Sequence, residues 1–424
     1  MNKVVTKMRR KSWISKGLLV AMALTLIPSS AYSAPKITVG SKCNSFKQTV
    51  SNMDKTFKCI KSGKKLVWSE ITPTVKASAK PIEKVNKLKY LVPLKPTGEN
   101  PITWENIESR VDEVSTVAWQ SAQQTMEANS GSKKAGSIKV IYAPLTPDTH
   151  YSGFEEHLRT GIKLWNRFIL PPQSTFLVYS YDEIPWAKNM IKKILIDSGM
   201  DENEALQRGK HLASAPYGGP ECGGANAGMM SDKQAIGVFG LCPRNEGSDP
   251  YYLGPLQIHE FTHQLQGAQF IGTKLNSQQI LPCWISEGLA HAGGLSAGTK
   301  NLSDYLAVRK SQASHPVLGV AGGHSSKQIE ASSVDFDFMK KFYEESAPPG
   351  CFQLPSYSLG YSVGFLTTEA LASIGGIEST LLLFSRAAGG ETFEEAFKNV
   401  YGLSWSSARN ILAKVVSKQF SLLA

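Results

Sequence analysis

The pattern of apolar and polar positions divides this chain into a first half that alternates strand and helix and a second half that is helical. Between Trp104 and Met126, Ile107, Val111, Val114, Val117 and Ala118 recur three or four residues apart, which predicts a long amphipathic helix. Ile138 to Ala143 reads as a strand. Ser152-x-x-Glu155 is a capping box, predicted to open a helix through Ile169 that carries Leu158, Ile162, Trp165 and Ile169 at helical spacing. Thr175 to Tyr179 is a second strand, Ala187 to Ile196 another helix, and Asp201-x-x-Glu204 the start of a further one. A Gly-rich loop, Gly218 to Gly228, leads into the apolar run Ala235 to Cys242, which reads as a strand. After residue 250 the pattern is almost all helix: Thr392-x-x-Glu395 is a second capping box, Gly402 a stop, and Trp405 to Phe420 a final amphipathic helix. Strands early and helices late predict an α+β body with a helical second half.

The ends of the chain change this picture. Lys3, Lys7, Arg9, Arg10, Lys11 and Lys16 precede an apolar run from Leu18 to Ile27, and the small-residue pattern Ala31-Tyr32-Ser33-Ala34 follows. That order predicts a secretory signal over 1–33, cleaved after Ser33. The run is well short of the ~20 apolar residues that span lipid, and no later segment reaches that length. Export makes the six cysteines an expected disulfide set, paired in chain order as Cys43–Cys59, Cys222–Cys242 and Cys283–Cys351. The net charge of +11 is unevenly distributed: residues 1–33 carry +6 and 34–89 carry +10, which leaves −5 for 90–424. A mildly acidic body disfavours nucleic acid as its partner.

The segment 34–70 is Lys-rich, framed by Cys43 and Cys59, and ends in Gly63-Lys64-Lys65-Leu66-Val67-Trp68, a turn entering a strand. It resembles small two-cysteine modules attached to secreted bacterial proteins, and its lysines suit anionic cell-wall polymers or phospholipid surfaces, or a solvated basic spacer. Residues 71–136 read as a linker and the long helix, a candidate pro-segment, and 137–424 as the catalytic body.

The chemistry sits in Leu256-Gln-Ile-His-Glu-Phe-Thr-His-Gln-Leu-Gln-Gly, which carries His259-Glu260-x-x-His263. On a helix, positions i and i+4 stack on one face, so both imidazoles reach one point. Two neutral imidazoles there suit Zn²⁺, with Glu260 beside the open coordination position. A catalytic zinc takes three protein ligands. From His263 onward the first carboxylate is Glu287, within Cys283-Trp-Ile-Ser-Glu-Gly-Leu-Ala290, itself helix-like with Ile285 and Leu289 turned inward. The metzincin pattern is excluded, because Gln266 and Gln269 stand where it needs Gly and His.

His-Glu-Phe-Thr-His followed by Trp-Ile-Ser-Glu-Gly-Leu-Ala resembles the gluzincin peptidases, a group that includes thermolysin, the M1 aminopeptidases and bacterial collagenases. The resemblance implies a thermolysin-like zincin domain over 137–424, with a small mixed sheet before a mostly helical half. It also implies His259, His263 and Glu287 as zinc ligands and Glu260 as general base. The tail, from Tyr357-Ser-Leu-Gly360 through Thr392-Phe-Glu-Glu-Ala-Phe397, is similar to the helical tail of the same group. There a tyrosine donates to the developing oxyanion, which maps to Tyr357 with Tyr361 in reserve, and the strand 235–242 would present its backbone to an extended peptide.

One departure stands out. Several gluzincins carry an acidic residue shortly after the third ligand to orient a zinc-bound histidine; four residues after Glu287 this chain has His291, which orients a ligand, faces substrate or packs in the core. The Gly-x-Met-Glu-Asn element of M1 aminopeptidases is missing, so the expectation is a secreted or cell-wall-associated endopeptidase acting on peptide or protein. A non-catalytic zinc-binding surface protein and a metallohydrolase of cell-wall amides are the competing readings.

Overall fold

A computed structural model of the chain describes residues 38–43, 46, 49–52, 55–63, 65–71, 90–131, 136–147, 151, 153–217, 223–241, 250–320, 326–348 and 354–423. The expected signal 1–33 lies outside these, as do Cys222, Cys242 and Cys351. The chain forms two compact units that divide between Val85 and Asn86. Among the described residues, no helix is long and apolar enough to cross a membrane.

The first unit holds an antiparallel sheet of β1 (Thr49–Asn52), β2 (Lys55–Ser62) and β3 (Lys65–Ile71). The turn into β3 is made at Gly63, whose φ of 62° suits a residue without Cβ. Cys43, Phe57, Cys59 and Trp68 are its buried apolar residues, with Leu66 against them. So few side chains bury little area, and the Cys43–Cys59 disulfide ties the piece together.

The second unit is a mixed α/β body whose first helix, α1 (Val114–Ala128), was expected in a separate 71–136 segment. It is instead part of the main core through Val114, Ala118 and Ala122, which is why the division lies at 85/86 and not at 136/137. The helix is also shorter than the predicted 104–126: Ile107–Ser109 forms a separate 3₁₀ turn, held by Asn106 and Thr103, before α1 begins. Then come β4 (Ser137–Tyr142), α2 (Phe154–Trp165), β5 (Gln173–Tyr179), α3 (Ile184–Asp197), α4 (Glu202–Ser214), β6 (Ala225–Ser231) and β7 (Gln234–Gly240). Asp201 caps α4 as its position predicts, accepting from the Asn203 and Glu204 amides. The box expected at Ser152 falls outside the described residues; α2 starts after Gly153, in the left-handed region.

The sheet order is β4-β5-β7-β6, parallel except for the antiparallel β7–β6 pair. Alternation along β5 and β7 feeds two layers. Phe176, Val178 and Phe239 join the main core, whereas Leu177, Tyr179, Ile236 and Val238 pack with Ala187, Ile191, Leu195, Ala205 and Leu212 of α3 and α4. Covered on both faces, β7 is apolar throughout. It also lies between β5 and β6, so its backbone is spent on neighbours and cannot receive a peptide, contrary to the expectation for 235–242. The edge strand is β6, which begins inside what reads in sequence as a glycine-rich loop.

The helical half runs α5 (Pro255–Ala268), α6 (Ser277–Ile280), α7 (Cys283–Gly298), α8 (Leu302–Ala313), α9 (Phe336–Glu345), α10 (Val363–Gly375), α11 (Ile377–Ala388), α12 (Phe393–Tyr401) and α13 (Trp405–Leu423). The Thr392–Glu395 capping box forms, and Gly402 ends α12 at φ 75°. A two-residue hairpin, Val317–Leu318 with Lys327–Gln328, interrupts the expected run of helices.

Candidate metal centre

Two crossing helices build the site. α5 starts at Pro255 with the Gly254 amide donating to Gln257 Oε1 (2.8 Å), and it is buried along nearly its whole length. α7 is buried along almost all of its own. They meet at backbone distance because of Gly294: a Cβ there would fall 2.6 Å from the Pro255 carbonyl. On its other side α7 lies equally close to α10, where a Cβ on Gly288 would fall 2.2 Å from the Gly364 carbonyl. The glycine beside Glu287 is thus a packing requirement.

His259, His263 and Glu287 converge, each offering one ligand atom within 4.8 Å of the others. The two Nε2 atoms are 3.0 Å apart, and Glu287 Oε2 lies 3.5 Å from His259 Nε2 and 3.2 Å from His263 Nε2. Ligands ~2.1 Å from a tetrahedral zinc sit about 3.4 Å apart, so these gaps fit one such ion. Glu287 Oε2 and Glu260 Oε2 are buried and lack a hydrogen-bond partner, a costly arrangement that a cation would relieve. The donor set of two imidazoles and a carboxylate suits zinc.

Each ligand is also gripped from behind. Tyr357 donates to Glu287 Oε1 (2.7 Å), leaving Oε2 to face the histidines. His263 Nδ1 meets Gln266 Oε1 (3.0 Å), and Gln266 is fixed by the Ser286 hydroxyl (2.7 Å) and by donating to the Ser286 carbonyl (2.8 Å). His259 Nδ1 meets His291 Nδ1 (3.0 Å). Gln266 is a site residue that sequence reasoning passed over; its signal was the i+3 spacing from His263 on one helix face. Tyr361 stacks near His259, rings 6.2 Å apart at 15°.

The electrostatics follow from burial and proximity. Burial raises Glu260 to about 7, near a working pH, and lowers His259 to about 4. Burial opposes charge on His263, yet the Glu287 carboxylate outweighs it and lifts that imidazole to about 9. Burial works against the Glu287 carboxylate as well, but His263 and His259 hold it well below the ordinary range. Without metal, His263 is therefore protonated at neutral pH and pairs with Glu287. Zinc uptake at pH 7.5 should release about one proton, and apparent affinity should rise about tenfold per pH unit until roughly pH 9, where His263 is already neutral. Titration calorimetry in two buffers of different ionisation enthalpy measures that proton; none released means His263 was already neutral.

A cavity of about 400 Å³ opens beside the site, lined by Asn226–Met230 of β6 and by His263, Gln266, Glu287, Tyr357 and Phe384 among others. α5 seats tightly on β6, a Cβ on Gly267 falling 2.8 Å from Met229 Cγ. Cys283 at the cavity wall is disulfide-bonded, and its expected partner Cys351 is outside the described residues. No family model matches the chain, and neither a curated protein nor a solved structure matches it.

Proposed function

We propose that this chain is a zinc-dependent peptidase of the gluzincin type, hydrolysing peptide bonds with Glu260 as general base. The observation that carries the reading is the convergence of His259, His263 and Glu287 with two unpartnered buried carboxylate oxygens, one of them on Glu260. A zinc ion held by these three residues would supply Lewis acidity and acidify water. Glu260, raised to about 7, is suited to take a proton from the attacking water and return it to the departing amine. Nothing in zinc binding alone requires a carboxylate at that position.

The substrate is proposed to lie along β6 as an added strand. β7 occupies one edge of β6, and residues Asn226–Met230 line the cavity that reaches His263 and Glu287. Burial and the Glu287 charge raise the Tyr357 hydroxyl, keeping it a donor that can polarise the scissile carbonyl. Tyr357→Phe should lower kcat by ~10²-fold or more through loss of an oxyanion donor. It should also weaken zinc by up to ~10-fold through loss of the bond to Glu287 Oε1. Steady-state kinetics and chelator competition separate the two, and an unchanged kcat removes Tyr357 from the chemistry.

Export through 1–33 belongs to the same proposal, supported by the Cys43–Cys59 disulfide and by the absence of free cysteines among the described residues. Exposed Lys42, Lys58, Lys61 and Lys65 support a role for the amino-terminal unit in holding anionic cell-wall polymer. The test is cleavage of unfolded casein and a peptide library by the mature protein: activity should vanish with a zinc chelator and return with zinc. Persistence under chelation would end the proposal.

A further inference from the structure

We propose that His291, locked in one tautomer by Gln312, is the positioning residue for the metal ligand His259, standing where a carboxylate would ordinarily be. This rests on the metal centre proposed above but not on its peptidase activity.

The argument is one of proton accounting. His259 turns Nε2 toward His263 and Glu287, so that nitrogen must offer a lone pair when a cation is bound. Its proton then belongs on Nδ1, which faces His291 Nδ1 at 3.0 Å. Two ring nitrogens at that distance share one proton between them. His291 Nδ1 must therefore be the bare acceptor, and its own proton sits on Nε2. That nitrogen faces Gln312 Oε1 at 3.4 Å, an acceptor. A single arrangement satisfies every atom: His259 Nδ1–H donates to His291, and His291 Nε2–H donates to Gln312. The cation fixes one end of the chain and the amide carbonyl fixes the other.

The ring is held in place by packing. His291 is buried, stacked on Tyr251 (5.2 Å, 27°) and flanked by Tyr361 (5.7 Å) and Phe365 (5.8 Å). A core histidine with only a packing role has no need to aim both nitrogens at polar partners. The choice of imidazole has a consequence shared by the whole outer layer. His259, His263 and Glu287 are held by an imidazole, an amide and a phenol, all uncharged. The carboxylates of Glu260 and Glu287 then balance a divalent cation by themselves. A neutral acceptor also pulls less on the His259 proton than a carboxylate would, leaving that ligand a weaker electron donor and the cation more electrophilic.

The test is zinc affinity by chelator competition in the full mature chain, which does not depend on turnover. His291→Asn places Oδ1 where Nδ1 was and keeps an acceptor; His291→Leu removes it; His291→Asp makes it charged. Leu should weaken zinc ~10–100-fold, Asn should stay within a few-fold of wild type, and Asp should match or exceed wild type. A purely structural role would make Asn and Leu alike, and that result, or a Leu variant binding as tightly as wild type, overturns the proposal. Should Leu fail to fold, long-range ¹H–¹⁵N spectra of zinc-loaded wild type decide: a proton on His291 Nε2 and none on Nδ1 is expected, and the reverse overturns it. A wild-type chain that takes up no zinc removes the metal centre and this relay with it. Zinc bound without peptide cleavage overturns only the peptidase reading.

Discussion

Glu260→Gln should leave zinc bound at full stoichiometry and lower kcat by at least ~10²–10⁴-fold, the usual contribution of a positioned base. The side chain is almost completely buried, one of its oxygens has no partner, and burial brings it to about 7. Its Oε1 lies 3.9 Å from His259 Nε2, so it adjoins the ligands and is not one of the three that converge. Glutamine keeps the shape and removes the ability to accept a proton, while His259, His263 and Glu287 are untouched. Metal analysis and peptide hydrolysis on the same preparation separate the two effects. Equal hydrolysis by variant and wild type would end the role of Glu260, and zinc loss would recast it as a ligand.

The second large effect is expected at Glu287. Glu287→Gln preserves volume and can still accept from Tyr357, but it removes the charge that faces both imidazoles. Zinc affinity should fall by more than the ~10–100-fold that loss of an outer partner costs. Zinc at 100 times its wild-type Kd stabilises the wild-type fold by about 2.7 kcal/mol through mass action. At that concentration the variant should show almost no zinc-dependent rise in Tm. In the metal-free protein, His263 loses the charge that lifts it to about 9, so it should be neutral at pH 7 and zinc uptake should release little or no proton. An undiminished thermal shift would mean that some other group completes the site.

These outcomes turn on short-range and long-range information differently, and the same split governs what was legible in the residues. His259 and His263 are four apart on one helix, so their convergence needs nothing but helical geometry. Asp201, Thr392 and Gly402 likewise act through their own immediate backbone. The strands β5 and β7 announce themselves because burial on both faces demands an unbroken apolar run.

The order of those strands could not be read this way. Nothing local in 235–242 says that β6 will take its free edge, and nothing in the Gly-rich stretch before it says that Ala225–Ser231 is an edge strand, since glycines weaken the signal while pairing with β7 supplies the bonds. The stretch 104–126 has helical periodicity throughout, yet Thr103 and Asn106 bind backbone near its start and confine the helix to Val114 onward. That α1 belongs to the body was decided by its packing in the main core.

The amino-acid sequence by itself determined which side chains are able to bind a metal and accept a proton, because those capacities belong to residue types at helical spacing. Only the tertiary structure decided how they are aimed. The glycine contacts of α7 set the distance to α5, Tyr357 reaches Glu287 across 70 residues and His291 reaches His259 across 32, and contacts of that span arise from packing helices whose faces no local pattern specifies.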